Sequence, residues 1–220
     1  MTADELLRIF DRLVNLGVHN LNLVTPSHYV PQIARALKEF NSPVPVVYNT
    51  SSYEKPETLR LLEGLVDIYL PDLKYYDSAP ALKYSSAPDY FEVASKAVLE
   101  MYRQTGDLIT GEDGIARRGL IIRHMVLPGN ISQAVKVFTW VRDNLSPATY
   151  ISVMRQYTPC GEAKNIRPID REISSREYSI VREKISALGF DNVFYQKKSS
   201  AGEIFIPDFN LEGVDLSGLA

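Results

Sequence analysis

Strand-like runs that end in polar residues, separated by helix-like runs, constrain this chain more than any other feature. The clearest is VDIYLPDLKYYD, from Val66 to Asp77. Side chains in a strand repeat every two residues, so Val66, Ile68 and Leu70 share a face with Asp72 and Lys74. Such a strand delivers a carboxylate and an ammonium group to its own C-terminal end. Pro71 has no amide hydrogen, so regular pairing should loosen there. In parallel α/β sheets and barrels, that end of the strand is where ligands bind.

The same alternation runs along the chain. Thr2 and Glu5 make a capping box for a first helix with Leu6, Phe10, Leu13 and Val14 on one side, stopped at Gly17. HNLNLVTP follows as a strand, in which Leu21 and Leu23 alternate with Asn20 and Asn22, and it ends in Thr25, Pro26, Ser27 and His28. Residues 30–40 read as a helix, Pro45 to Tyr53 as a strand ending in small polar residues, and Pro56 to Leu62 as a short helix. After the Val66 strand come a helical turn over 77–84 and a longer helix from Asp89, capped with Glu92 and burying Val93, Ala97, Val98 and Met101. The turn-rich stretch from Thr105 to Gly119 suggests a hairpin or excursion. Gly119 to Asn130 is a strand stopped by Pro128-Gly129, and a helix carrying Ala134, Phe138, Val141 and Leu145 comes next. Tyr150 to Pro159 is a strand, Ser174 with Glu177 opens the last helix, and NVFYQ from Asn192 is a final strand. Strands joined in series by helices are parallel. Five or six such units are present, fewer than the eight of a full barrel. The expected fold is a partial, TIM-like (β/α)6 barrel over 1–220, with 197–220 as a tail whose apolar patch is Ile204 to Phe209. A series that opens on a helix implies that a strand before it is missing.

Composition narrows the function classes. A formal charge of -3 over 220 residues disfavours nucleic-acid and membrane-surface partners. No apolar run approaches the roughly 18 residues of a membrane helix, and the N-terminus has no signal pattern. A cytoplasmic protein is expected. Cys160 is the only cysteine, which leaves no disulfide and no multi-cysteine metal site within the chain.

Taken in order, NLVTPSHYVPQ, VVYNTSSYE, DIYLPDLKYYD, IIRHMVLPGN and SVMRQYTP resemble a subgroup of the radical S-adenosylmethionine (SAM) superfamily, the pyruvate formate-lyase activating enzyme-like proteins. The resemblance runs from the first helix to IPDF near the C-terminus. It implies a partial (β/α)6 barrel that holds a 4Fe–4S cluster and SAM at the strand C-terminal ends. One electron from the cluster cleaves SAM to methionine and a 5′-deoxyadenosyl radical, which abstracts hydrogen. It also implies a low-potential electron donor and, as in the activases, a protein substrate of the glycyl-radical enzyme kind.

Carried over residue by residue, the resemblance marks Thr25, Ser27, His28, Asn49, Thr50, Asp72, Lys74, Arg123 and His124 as SAM-binding positions. The activases place Gly-Gly-Glu-Pro after their second strand to hold the SAM amino group; here Thr25, Pro26, Ser27 and His28 stand there, so hydroxyl, imidazole or backbone acceptors must serve. Their Asp-Thr at the end of the third strand is Asn49-Thr50, and their Asp-Leu-Lys is Asp72-Leu73-Lys74. Lys74 would pair with the methionyl carboxylate, and Asp72 would orient that lysine or contribute to a cation site. Arg123 matches an activase arginine and His124 follows it. These two point to opposite faces, so without a bulge only one faces the site, and a satisfied core histidine is the preferred reading of His124.

One departure is large. The family holds its cluster with a Cys-x3-Cys-x2-Cys loop after the first strand, and that loop is absent. Iron–sulfur clusters need thiolate ligands, and Cys160 alone does not supply them. The expectation is a chain lacking the first strand and cluster loop, with part of a SAM pocket and no reductive cleavage of its own. Two other readings stay open: a cluster-independent lyase with Lys74 as Schiff-base nucleophile, and a non-catalytic barrel binding SAM or a nucleotide.

Overall fold

A computed structural model describes residues 2–197. Helix α1 (Ala3–Asn15) opens on the expected capping box: the Thr2 hydroxyl accepts from the Glu5 amide while the Glu5 carboxylate accepts from the Thr2 amide. Gly17, at φ +76°, turns the chain out of the helix. There follow β1 (Leu21–Val24), α2 (Val30–Glu39), β2 (Val46–Thr50), α3 (Pro56–Leu59), β3 (Ile68–Pro71), α4 (Ser78–Ser85) and α5 (Tyr90–Thr105). The second half comprises β4 (Ile109–Thr110), β5 (Ala116–Met125), α6 (Ala134–Asn144), β6 (Tyr150–Met154), α7 (Ser175–Ser186) and β7 (Val193–Tyr195).

The strands form one sheet in the order β1-β2-β3-β5-β6-β7, parallel throughout, with β4 antiparallel beside β5. Apart from β4, spatial order is chain order and never reverses. This is a mixed α/β fold built on a mostly parallel sheet. No helix among the described residues is long and apolar enough to cross a membrane.

Register decides which side chains share a face. Tyr48 aligns with Tyr69, Tyr69 with Leu120, and Ile122 with Ile151, and all five are fully buried. This face receives the helices: the Tyr69 hydroxyl donates to Gln104 of α5 at 2.7 Å, and Phe138 of α6 packs edge-on against His124. The opposite face carries Asn22, Asn49, Leu70 and Arg123, exposed or half-buried. β1 and β7 are the edge strands, and an apolar groove of about 600 Å3 runs between β1 and α1, lined by Leu6, Ile9, Leu13, Leu23 and Val24.

Some boundaries move from their sequence positions for visible reasons. β5 starts before Gly119 because Ala116 and Arg118 pair with β4, the hairpin expected over 105–119. β6 stops at Met154 because the next amide, Arg155, donates to the Gln196 side chain at 2.9 Å instead of a strand carbonyl. Asp89 stands at the N-cap of α5 but makes no cap bond, because its carboxylate accepts from the Tyr53 hydroxyl at 2.6 Å. Ser174 does cap α7, in a second capping box with Glu177. Ser174→Ala should therefore lower stability by about 1 kcal/mol in urea titration, and an unchanged midpoint would refute that role. The patch from Ile204 to Phe209, and the IPDF run within it, lie outside the described residues.

Candidate functional site

Asp72, Lys74 and Arg123 meet at the C-terminal ends of β3 and β5. The parallel register continues past β3 as a bridge between Asp72 and Arg123, which sets the two side chains next to each other on the open face. One Asp72 oxygen accepts from the Arg123 guanidinium at 2.7 Å and the other accepts from the Lys74 ammonium at 2.9 Å. Asp72 is 14% exposed at its side chain, Arg123 26% and Lys74 42%, so burial declines from carboxylate to ammonium. The triad carries net charge +1, with a cationic group reaching toward solvent. That arrangement suits an anionic ligand group, such as a carboxylate, which charge-assisted hydrogen bonds hold well.

The backbone here is fixed at every step. The Asp72 amide donates to Thr50 O at 2.8 Å and the Leu73 amide to Arg123 O at 2.9 Å. The Lys74 amide donates to the Tyr90 hydroxyl at 2.9 Å, while the Leu73 carbonyl accepts from His124 Nδ1. His124 is fully buried, and its Nε2 accepts from the Ser132 hydroxyl at 3.0 Å. Burial lowers its pKa to about 4, partly opposed by the Leu73 carbonyl and by Asp72. Its place is thus on the helix-covered face, and the expectation that it lines the site beside Arg123 is corrected. His124 is a core histidine that braces the chain under Asp72 and Lys74.

The remaining positions divide the same way. Asn49 aligns with Leu70 on the open face, in line with Asp72. Thr50 is its neighbour and faces the other way, buried, so it too is removed from the direct site. Its hydroxyl donates to Glu54, which also accepts from the Tyr48 hydroxyl at 2.7 Å. Ser27 is half-buried in the loop after β1. Burial, and then the Glu54 charge, push the Tyr48 pKa up. Thr25 and His28 are exposed at the mouth of β1. Thr25 sits at φ +53°, which a β-branched residue adopts only under constraint. Ser52 after β2, and Asn130 and Gln133 after β5, are also left-handed, so strain gathers at the strand C-terminal ends.

Sequence reasoning missed Tyr90 and Glu54. Both are buried, and both act through partners that are distant in the chain or lie in a loop, which periodicity does not report. Tyr75 packs edge-on to Tyr90 at 5.7 Å and Trp140 to Phe91 at 5.5 Å. Cys160 is exposed in the loop after β6. Among the described residues, no group of three or more His, Cys, Asp or Glu side chains is placed to hold a metal ion.

No family model matches the chain. An uncharacterized protein of Methanocaldococcus jannaschii is 29% identical over 178 residues, which make up 80% of this chain and 48% of that protein. The chain therefore spans about half the length of the relative it matches.

Proposed function

We propose that this chain is the SAM-binding part of a radical SAM protein resembling the glycyl-radical activases. The observation that carries the reading is the Asp72–Lys74–Arg123 triad at the ends of adjacent parallel strands. Three facts support it: the resemblance of the strand-end segments, a parallel series without reversal, and strained residues gathered at the same rim. In this reading the sheet is part of a (β/α)6 barrel, and the open edge of β1 takes a further strand. Lys74 receives the methionyl carboxylate, Arg123 holds Asp72 in place, and Asp72 offers an acceptor to the ligand amino group. Asn49, Thr25, Ser27 and His28 form the rim around it, while Thr50 and His124 brace the segments beneath.

The residues present do not fit a 4Fe–4S cluster. Such a cluster needs several thiolates, and the sequence has one, on an exposed loop. Hydrogen abstraction by a SAM-derived radical, on a protein substrate and with a low-potential electron donor, belongs to the proposal only with thiolates supplied from outside this chain. A cytoplasmic setting goes with that chemistry. Lys74 as a Schiff-base nucleophile is less well supported, because its ammonium group is already engaged as a donor to Asp72.

Calorimetry with SAM tests the reading. The unaltered protein should bind, and Lys74→Ala should weaken binding about tenfold, the loss of roughly 1.4 kcal/mol. Equal affinity of the two proteins would remove Lys74 from the site, and absence of binding to the unaltered protein would overturn the proposal.

A further inference from the structure

Resting on that reading of the site, we propose that Tyr90 is a positioning residue: its hydroxyl fixes the backbone from Asp72 to Lys74 and so aims the Lys74 ammonium group at the ligand carboxylate. The need for it arises where the ladder ends. Asp72 and Leu73 still find carbonyl partners on β2 and β5, but the Lys74 amide has no strand partner and donates to the Tyr90 hydroxyl at 2.9 Å. That hydroxyl has one proton, which lies between Asp72 O at 2.7 Å and Ser51 O at 2.8 Å. One atom thus clamps the peptide groups on either side of Leu73 and ties them to the end of β2.

The clamp is rigid. Tyr90 is the first residue of α5 and is 3% exposed. Its ring stacks on Tyr53 at 6.0 Å and meets Tyr75 edge-on at 5.7 Å. A buried phenol in this setting remains protonated, so it serves as donor and acceptor together. Small displacements of a charged group from its ligand are costly to recognition, which makes such support part of a site.

Tyr90→Phe keeps the ring packing and removes only the hydroxyl. SAM is compared with decarboxylated SAM, which lacks just the group assigned to Lys74. The unaltered protein should prefer SAM about tenfold. In Tyr90→Phe that preference should fall toward unity while the affinity for decarboxylated SAM stays the same, and Tyr90→Phe/Lys74→Ala should be no worse than Lys74→Ala alone. If both ligands weaken equally in Tyr90→Phe, or if the preference persists there and collapses in Lys74→Ala, the positioning role is overturned while the site stands. No preference in the unaltered protein overturns the assignment of Lys74 itself, and this role with it. Amide hydrogen exchange of the unaltered protein gives a check free of variants: the Lys74 amide should be protected like that of Leu73, and rapid exchange would contradict the clamp.

Discussion

Acidification from pH 6.5 to pH 4 should remove about 3 kcal/mol of folding stability through one side chain, His124. The fold holds the imidazole neutral: Nδ1–H donates to Leu73 O, Nε2 accepts from Ser132, and no water reaches the ring. The charged groups near it are Asp72, which favours protonation, and Lys74, which opposes it; desolvation outweighs both. A histidine in the unfolded chain takes up its proton near the ordinary value of 6.5, whereas the folded one waits until about 4. Well above pH 6.5 neither state is protonated and the contribution is constant. Between these values the unfolded state binds more protons, so stability falls as the pH falls. Below about 4 both are protonated and the loss levels off. Glu100 and Glu177, held low by Arg103 and Arg171, act in the carboxylate range beneath 4.5, so the upper part of the window isolates the histidine. Urea titrations at pH 6.5 and 5 should differ by about 2 kcal/mol, and His124→Asn should flatten that slope. An equal slope in the variant would contradict the buried neutral state.

Asp72→Ala is expected to cost about 2 kcal/mol, the usual effect of removing hydrogen bonds to charged groups in a partly buried setting. The loss arises because Arg123, at 26% side-chain exposure, keeps its charge and loses its acceptor, while Lys74 becomes a like-charged neighbour. The Lys74 pair alone would contribute little, since it is much more exposed. Asp72→Asn leaves one carbonyl acceptor and should recover part of the loss. Chemical denaturation of the three proteins checks this order, and a change in Asp72→Ala below about 0.5 kcal/mol would show the triad to be no more than a surface contact.

The architecture was legible in the alternation itself. Leu21 and Leu23 against Asn22, the caps at Thr2 and Ser174, and the stop at Gly17 all carry local signals, and the structure follows them. The triad was half legible. Period two put Asp72 with Lys74, but bringing Arg123 beside them depended on the register between β3 and β5, which no single strand records. Period two also separates Asn49 from Thr50 and Arg123 from His124, because adjacent residues of a strand cannot share a face. Tyr90 could not be read at all. It bonds to Ser51, 39 residues away, and in the sequence it is one more aromatic residue at the start of a helix. Asp89 shows the converse: a sound local cap signal gave way to a tertiary partner, Tyr53.

A titration of the isotope-labelled protein with SAM, followed by amide NMR, tests the proposed SAM pocket at the open-face mouth of the sheet. Saturable shifts concentrated at Asp72 to Lys74, Arg123, Asn49 and the loop after β1 are the predicted result. Shifts confined elsewhere, for instance to the α1–β1 groove, or none at millimolar SAM, would contradict it.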